Sequence, residues 1–188
     1  MIKFILHGGN LGDNNKDNYS FFNESTRIKS KDVNILMCYL SSEDENIISD
    51  KFRRHSSKFK RFAGGKSTHF KLAEVDKFSD QVKWSDLVYL AGGFETSDFV
   101  EKMSVTKNLE LLFEGKVVAG SSAGVNCLAK YYYGNTIQRI ESGLGIINIK
   151  TYCHYKPGDE KIVERLASYK EKLPLLVLPN YKWIVMYK

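Results

Sequence analysis

The residues best able to do chemistry form a pentad, Gly120-Ser121-Ser122-Ala123-Gly124, directly after the apolar run Val117-Val118-Ala119. Between a strand and a helix, a G-x-S-x-G pentad forces its serine into a sharp, strained turn that lifts the hydroxyl above the sheet. Small flanking residues are needed there because the strand and helix backbones come close. Ala119, Gly120, Ser121, Ala123 and Gly124 all meet that need. The helix that follows would turn free N–H groups and its positive end toward a developing oxyanion. The pentad by itself equally suits a tight packing turn; its strand-then-helix setting is what favours a nucleophile at Ser122.

A serine hydroxyl is inert without a base. The chain has four histidines: His7, His55, His69 and His154. His154 closes the strand that follows the Ser122 helix and is the expected base. His7 ends the first strand beside glycines and is expected to line a crevice. His55 falls inside a basic helix and is expected to be exposed, and His69 reads as structural. Gly92-Gly93, at the end of another strand, is the expected source of an oxyanion N–H, paired with the N–H of Ala123.

Positioning these groups requires alternating strands and helices. Apolar runs predict strands over Ile2–His7, Val33–Leu40, His69–Val75, Asp86–Leu90, Lys116–Gly120, Ile146–Tyr152 and Leu175–Leu178. Amphipathic segments predict helices over Tyr19–Lys29, from a Ser41/Ser42 cap with Glu45 to Phe62, from Thr96 or Ser97 to Phe113, from Ser122 to Lys130, and over Asp159–Lys172. Alternation of this kind predicts an α/β fold, a mostly parallel sheet with helices on both faces, whose sites lie at the carboxyl ends of strands.

The 188 residues fit one domain, residues 1–188, and a 43% hydrophobic content suffices for a core. The net charge of +6 permits acidic or nucleic-acid partners. Its basic residues are scattered, and the densest run, Lys51–Lys66, reads as a solvated helix face, so no nucleic-acid partner is expected. Cys38, Cys127 and Cys153 are odd in number and lack CxxC spacing, so they read as free thiols in a reducing compartment, and a cytoplasmic location is expected. No apolar stretch approaches the ~20 residues of a membrane span. No cluster has metal-ligand spacing, and His7-Gly8-Gly9-Asn10-Leu11-Gly12 is not a dinucleotide fingerprint, so no metal or cofactor is expected.

Four pieces in order resemble the dipeptidase E and cyanophycinase family of serine peptidases: Leu90-Ala91-Gly92-Gly93, the Gly120–Gly124 elbow, Leu144-Gly145-Ile146, and His154-Tyr155. The resemblance implies a three-layer fold like that of class I glutamine amidotransferases, and peptide hydrolysis through an acyl-enzyme. Ser122 would match the nucleophile, His154 the base, and Gly93 and Ala123 the oxyanion donors. Known members cleave at aspartate in small peptides or in an aspartate-rich storage polymer, so a small peptide is the implied substrate. Arg165 and Arg139 are candidates for a pocket holding its carboxylate. The family carries an acid between nucleophile and histidine. Glu141 fits that interval, with Asp159 or a simple Ser–His dyad as alternatives.

The sequence also departs from the family. The usual GGNT turn reads Gly92-Gly93-Phe94-Glu95, which puts Phe94 and Glu95 on the substrate side. Members tend to continue past the segment ending at Lys188, so a short or truncated chain is expected; a homodimer stays open. A catalytically weak relative serving as a binding or regulatory module is the competing reading.

Overall fold

The computed structural model describes residues 1–41 and 44–188. Its main sheet has six strands: β1 (Lys3–His7), β2 (Asp32–Cys38), β3 (Ser67–Leu72), β4 (Leu87–Leu90), β5 (Val117–Ser121) and β10 (Trp183–Tyr187), in the order β10-β1-β5-β4-β2-β3. All neighbours are parallel except β10, which runs antiparallel to β1. Alternate side chains of each strand point to opposite faces. Ile5, Ile35, Met37, Tyr89 and Ala119 meet Phe21, Phe22 and Phe59 of helices α1 (Lys16–Ser25) and α2 (Glu45–Phe62). Phe4, Leu6, Leu36, Val88 and Val118 meet the opposite helical layer: α3 (Phe78–Trp84), α4 (Thr96–Ser104), α5 (Leu109–Phe113) and α6 (Ala123–Leu128). Each large apolar side chain removed from water here contributes roughly 1.5–3 kcal/mol before entropy is counted. The expected three-layer α/β sandwich is therefore the architecture.

A second sheet was not expected from the sequence. It has four strands, β6 (Ala129–Gly134), β7 (Arg139–Ser142), β8 (Ile147–Tyr155) and β9 (Leu175–Pro179), in the order β7-β6-β8-β9. The helix expected to reach Lys130 stops at Leu128, because Ala129 turns extended and Tyr131-Tyr132-Tyr133 is an aromatic run that favours a pleated surface. Ile147, Ile149 and Cys153 of β8 pack into the α4–α6 side of the core. Tyr133 and Tyr152 meet Leu166 of α7 (Glu160–Ser168) on the outer face.

Two further expectations are revised. The helix from Thr96 to Phe113 is broken into α4 and α5, with Asn108 in a left-handed conformation (φ 56°) between them. Helix α2 is capped by Asp44, whose side chain accepts from the Asn46 and Ile47 amides; the expected cap at Ser42 lies outside the described residues.

Candidate active site

Ser122 follows β5, a central strand of the main sheet, and precedes α6. Its backbone has φ 50° and ψ −110°, a strained conformation for a residue with a side chain. The elbow is locked by steric fit. A Cβ on Gly124 would lie 2.1 Å from the Leu90 carbonyl oxygen, and one on Gly120 would lie 3.1 Å from Gly124 and Val125 backbone atoms. The Ser122 amide donates to the His7 carbonyl at 2.9 Å, tying the turn to β1.

His154 arrives from the second sheet. The β8–β9 register shifts between Cys153 and Tyr155, so His154 is the extra residue of a bulge, with φ 61°. Bulges re-aim a side chain, and this one turns the imidazole toward the main sheet. The His154 amide donates to the Gly8 carbonyl at 3.1 Å, which pins the bulge to the loop after β1. A Cβ on Gly9 would fall 2.1 Å from His154 Cε1, so Gly9 makes room for the ring, whereas one on Gly8 would meet the Pro179 carbonyl oxygen.

Ser122 Oγ and His154 Nε2 lie 2.6 Å apart. On the far side of the ring, His154 Nδ1 lies 2.6 Å from Asn180 Oδ1 in the turn between β9 and β10. An amide oxygen only accepts, so Nδ1 carries the proton and Nε2 is left to accept from the serine hydroxyl.

Glu141, the residue named from the family interval, is held elsewhere. Its Oε2 accepts from the Tyr132 hydroxyl at 3.0 Å and its Oε1 from Arg139 Nε and Nη2. Asp159 accepts from Tyr152 and the Lys156 amide. Neither meets His154. Asn180 was missed because the family interval calls for an acid, and its nearness to His154 follows only from the pairing of β9 with β8.

The glycine turn after β4 lies against the serine. A Cβ on Gly92 would be 3.3 Å from Ser122 Cβ. Among the described residues, the Gly93 and Ala123 amides have no intramolecular acceptor. A cleft of about 460 Å³ opens over Ser122 and His154, bordered by Gly92, Gly93, Phe94, Lys51, Arg54 and His55. A smaller recess of about 130 Å³ on the other side is bordered by Glu95, Thr96, Asn126 and Tyr132. Phe94 is 76% exposed at the rim between them.

Arg165 lines neither cavity. It projects into solvent from α7, whose Leu166 is the side buried against Tyr133 and Tyr152. Arg139 pairs with Glu141 instead. The cations at the cleft are Lys51 and Arg54, on the helix face read from sequence as wholly solvated. His55 also overturns that reading. It is 6% exposed, and its Nδ1 lies 3.1 Å from the Tyr39 hydroxyl and 3.3 Å from that of Tyr89. Burial, and then the nearby Lys58 charge, hold its pKa at about 3. Helical spacing of Ile48, Phe52, His55, Phe59 and Phe62 is the signal that would have placed it inward.

His7 is fully buried rather than on the crevice wall. Its Nε2 meets Asn18 Oδ1 at 2.9 Å and its Nδ1 accepts from the Gly9 amide at 3.0 Å. Burial lowers its pKa to about 4. His69 is exposed on β3. The three cysteines are buried and unpaired, and burial raises the Cys153 thiol to about 12, far from nucleophilic. Among the described residues no group of His, Cys, Asp or Glu could hold a metal, and no helix is long and apolar enough to cross a membrane.

Known structures share this fold. A crystal structure of a peptidase from an acI-B1 actinobacterium superposes with a TM-score of 0.70 at 20% identity, over 99% of this chain and 84% of that one. A putative peptidase E protein from Listeria monocytogenes EGD-e, solved at 1.5 Å, superposes with a TM-score of 0.67 at 13% identity, over 100% of this chain and 99% of that one. At these identities the likeness concerns the fold, which is of the flavodoxin-like, class I glutamine amidotransferase-like kind. No curated protein matches the chain. The model of peptidase family S51 matches residues 41–188, which include the elbow, the bulged histidine and Asn180; the chain belongs to peptidase family S51, the dipeptidase E family of serine peptidases.

Proposed function

We propose that the chain hydrolyses small peptides through an acyl-enzyme on Ser122, with His154 as general base and Asn180 holding the imidazole in the required tautomer. The observation that carries this reading is the continuous Ser122–His154–Asn180 chain of hydrogen bonds, 2.6 Å at each step. Ser122 Oγ attacks the substrate carbonyl carbon while its proton passes to His154 Nε2. The Gly93 and Ala123 amides, free of internal acceptors, hold the oxyanion. Collapse breaks the C–N bond, and His154 returns the proton to the departing amine. Water then repeats the sequence to release the acid.

The size of the cleft and the Arg54 guanidinium at its border support a short substrate carrying a carboxylate, such as an aspartyl dipeptide. A neutral fluorophosphonate should label the protein, and Ser122→Ala should abolish labelling. Labelling that survives the substitution would reject Ser122 as nucleophile. A panel of Asp-X, X-Asp and uncharged dipeptides tests the substrate class, and faster turnover of the uncharged members would reject it.

A further inference from the structure

Lys51 sits on the turn of α2 that overlooks the cleft. Its backbone carbonyl lies 3.2 Å from the Tyr39 hydroxyl, anchoring that turn to the end of β2. Its ammonium is partly buried and donates to the Gly92 carbonyl oxygen at 3.1 Å. No described carboxylate pairs with it; neighbouring Asp50 is taken up by Arg53 and Arg54. The contact with Gly92 is thus the hydrogen bond the structure gives this ammonium.

The Gly92 carbonyl and the Gly93 N–H belong to one peptide unit. The chain has no cis peptide bonds, so the two point in opposite directions. Lys51 holds one edge of that unit, which leaves the N–H edge facing away from α2. A Cβ on Gly92 would lie 3.3 Å from Ser122 Cβ, so this peptide lies beside the serine, and the Gly93 amide has no acceptor among the described residues. Glycine on both sides makes this peptide cheap to flip, because neither residue has a Cβ to bar the alternative φ and ψ. Flipped, it would present a carbonyl oxygen where an oxyanion must form.

We propose that Lys51 is a positioning residue that fixes the Gly92–Gly93 peptide with its N–H turned to the reaction centre. This rests on the acyl-enzyme reading of Ser122. An ammonium on the carbonyl oxygen also polarises the amide, so the N–H on the other edge is a stronger donor. Burial, and then the Arg54 charge, hold the Lys51 ammonium below the ordinary lysine range.

The test uses a fluorophosphonate without a carboxylate, so that substrate charge plays no part. Labelling of Lys51→Met should slow by about 10²-fold, the scale of one lost oxyanion donor, with the melting temperature little changed. Lys51→Gln, which keeps a neutral donor, should recover part of the rate. For a peptide substrate the loss should fall on kcat rather than KM. Once labelling is driven to completion, the ³¹P resonance of the Ser122 adduct should move in Lys51→Met, because the phosphonyl oxygen occupies the oxyanion position. Equal labelling rates and an unmoved resonance would overturn the proposal. So would a defect confined to the KM of acidic peptides, which would make Lys51 a carboxylate-binding group. A wild-type protein that is not labelled at all removes the Ser122 reading and this proposal together.

Discussion

The two halves of the site are built in different ways. Ser122 is set by a contiguous stretch whose glycines sit against backbone, and its strain is imposed by β5, α6 and β4 at the point of contact. His154 is set at a distance: a bulge in one sheet, a hydrogen bond to the loop of another, and an amide from the turn after β9. The first half is a steric lock that tolerates almost no added atom. The second is a hinge of side chains, where change should cost catalysis before it costs the fold.

The sharpest break in that comparison is Gly124→Ala against Gly9→Ala. At Gly124 the new methyl meets the Leu90 carbonyl, an atom that cannot move without moving β4. Gly124→Ala should cost about 3 kcal/mol or more in chemical denaturation and abolish activity along with the fold. At Gly9 the new methyl meets the edge of the His154 ring. Gly9→Ala should lower kcat/KM by about 10²-fold through a displaced imidazole; the unusual φ of 131° adds some loss of stability. Equal losses of stability in the two variants would erase the distinction.

The main-sheet half also carries two histidines buried in the neutral form. In the unfolded chain each would take up a proton near pH 6.5, whereas folded His7 resists until about pH 4 and folded His55 until about 3. Between those values the unfolded state binds more protons, so stability falls as pH drops from about 6.5 toward 4. At 1.36 kcal/mol per unit, the upper limits are on the order of 3 kcal/mol for His7 and 5 kcal/mol for His55. Urea midpoints at pH 7, 5.5 and 4 should decline, and His55→Phe should flatten part of the slope. A flat profile in the wild type would mean that these rings are hydrated.

On the other half, Asn180→Asp sharpens the role of the amide. A carboxylate beside Nδ1 favours the imidazolium, so the acid limb of kcat/KM should move up by roughly one pH unit, with activity retained above it. The same substitution at a site unconnected to His154 would leave the limb in place. The smallest effect belongs to Glu141→Gln. Its carboxylate serves Tyr132 and Arg139, so turnover should stay within about twofold of wild type.

These contrasts follow what was legible in the sequence. The elbow was readable because its cause is local: five consecutive small residues, an apolar strand before and a helix after. The layers of the main sheet were readable from the alternation of apolar runs. The second sheet was hidden because Ala129–Gly134 follows a helix without punctuation, and the bulge at His154 leaves no mark in composition. Arg165 was named for a carboxylate pocket from the family's substrates and its place on the helix after His154, and the rotation of α7 turned it to solvent.

The sequence by itself determined the Gly120–Gly124 turn and the strands that carry it, since steric demands on neighbouring residues are written in their side-chain volumes. Only the tertiary structure decided what meets that turn. It brought Asn180 rather than Glu141 to the histidine, and Lys51 to the back of the Gly92 peptide. Those meetings depend on how a bulge, a second sheet and the face of α2 come together, and they join residues far apart in the chain whose separation carries no local signal.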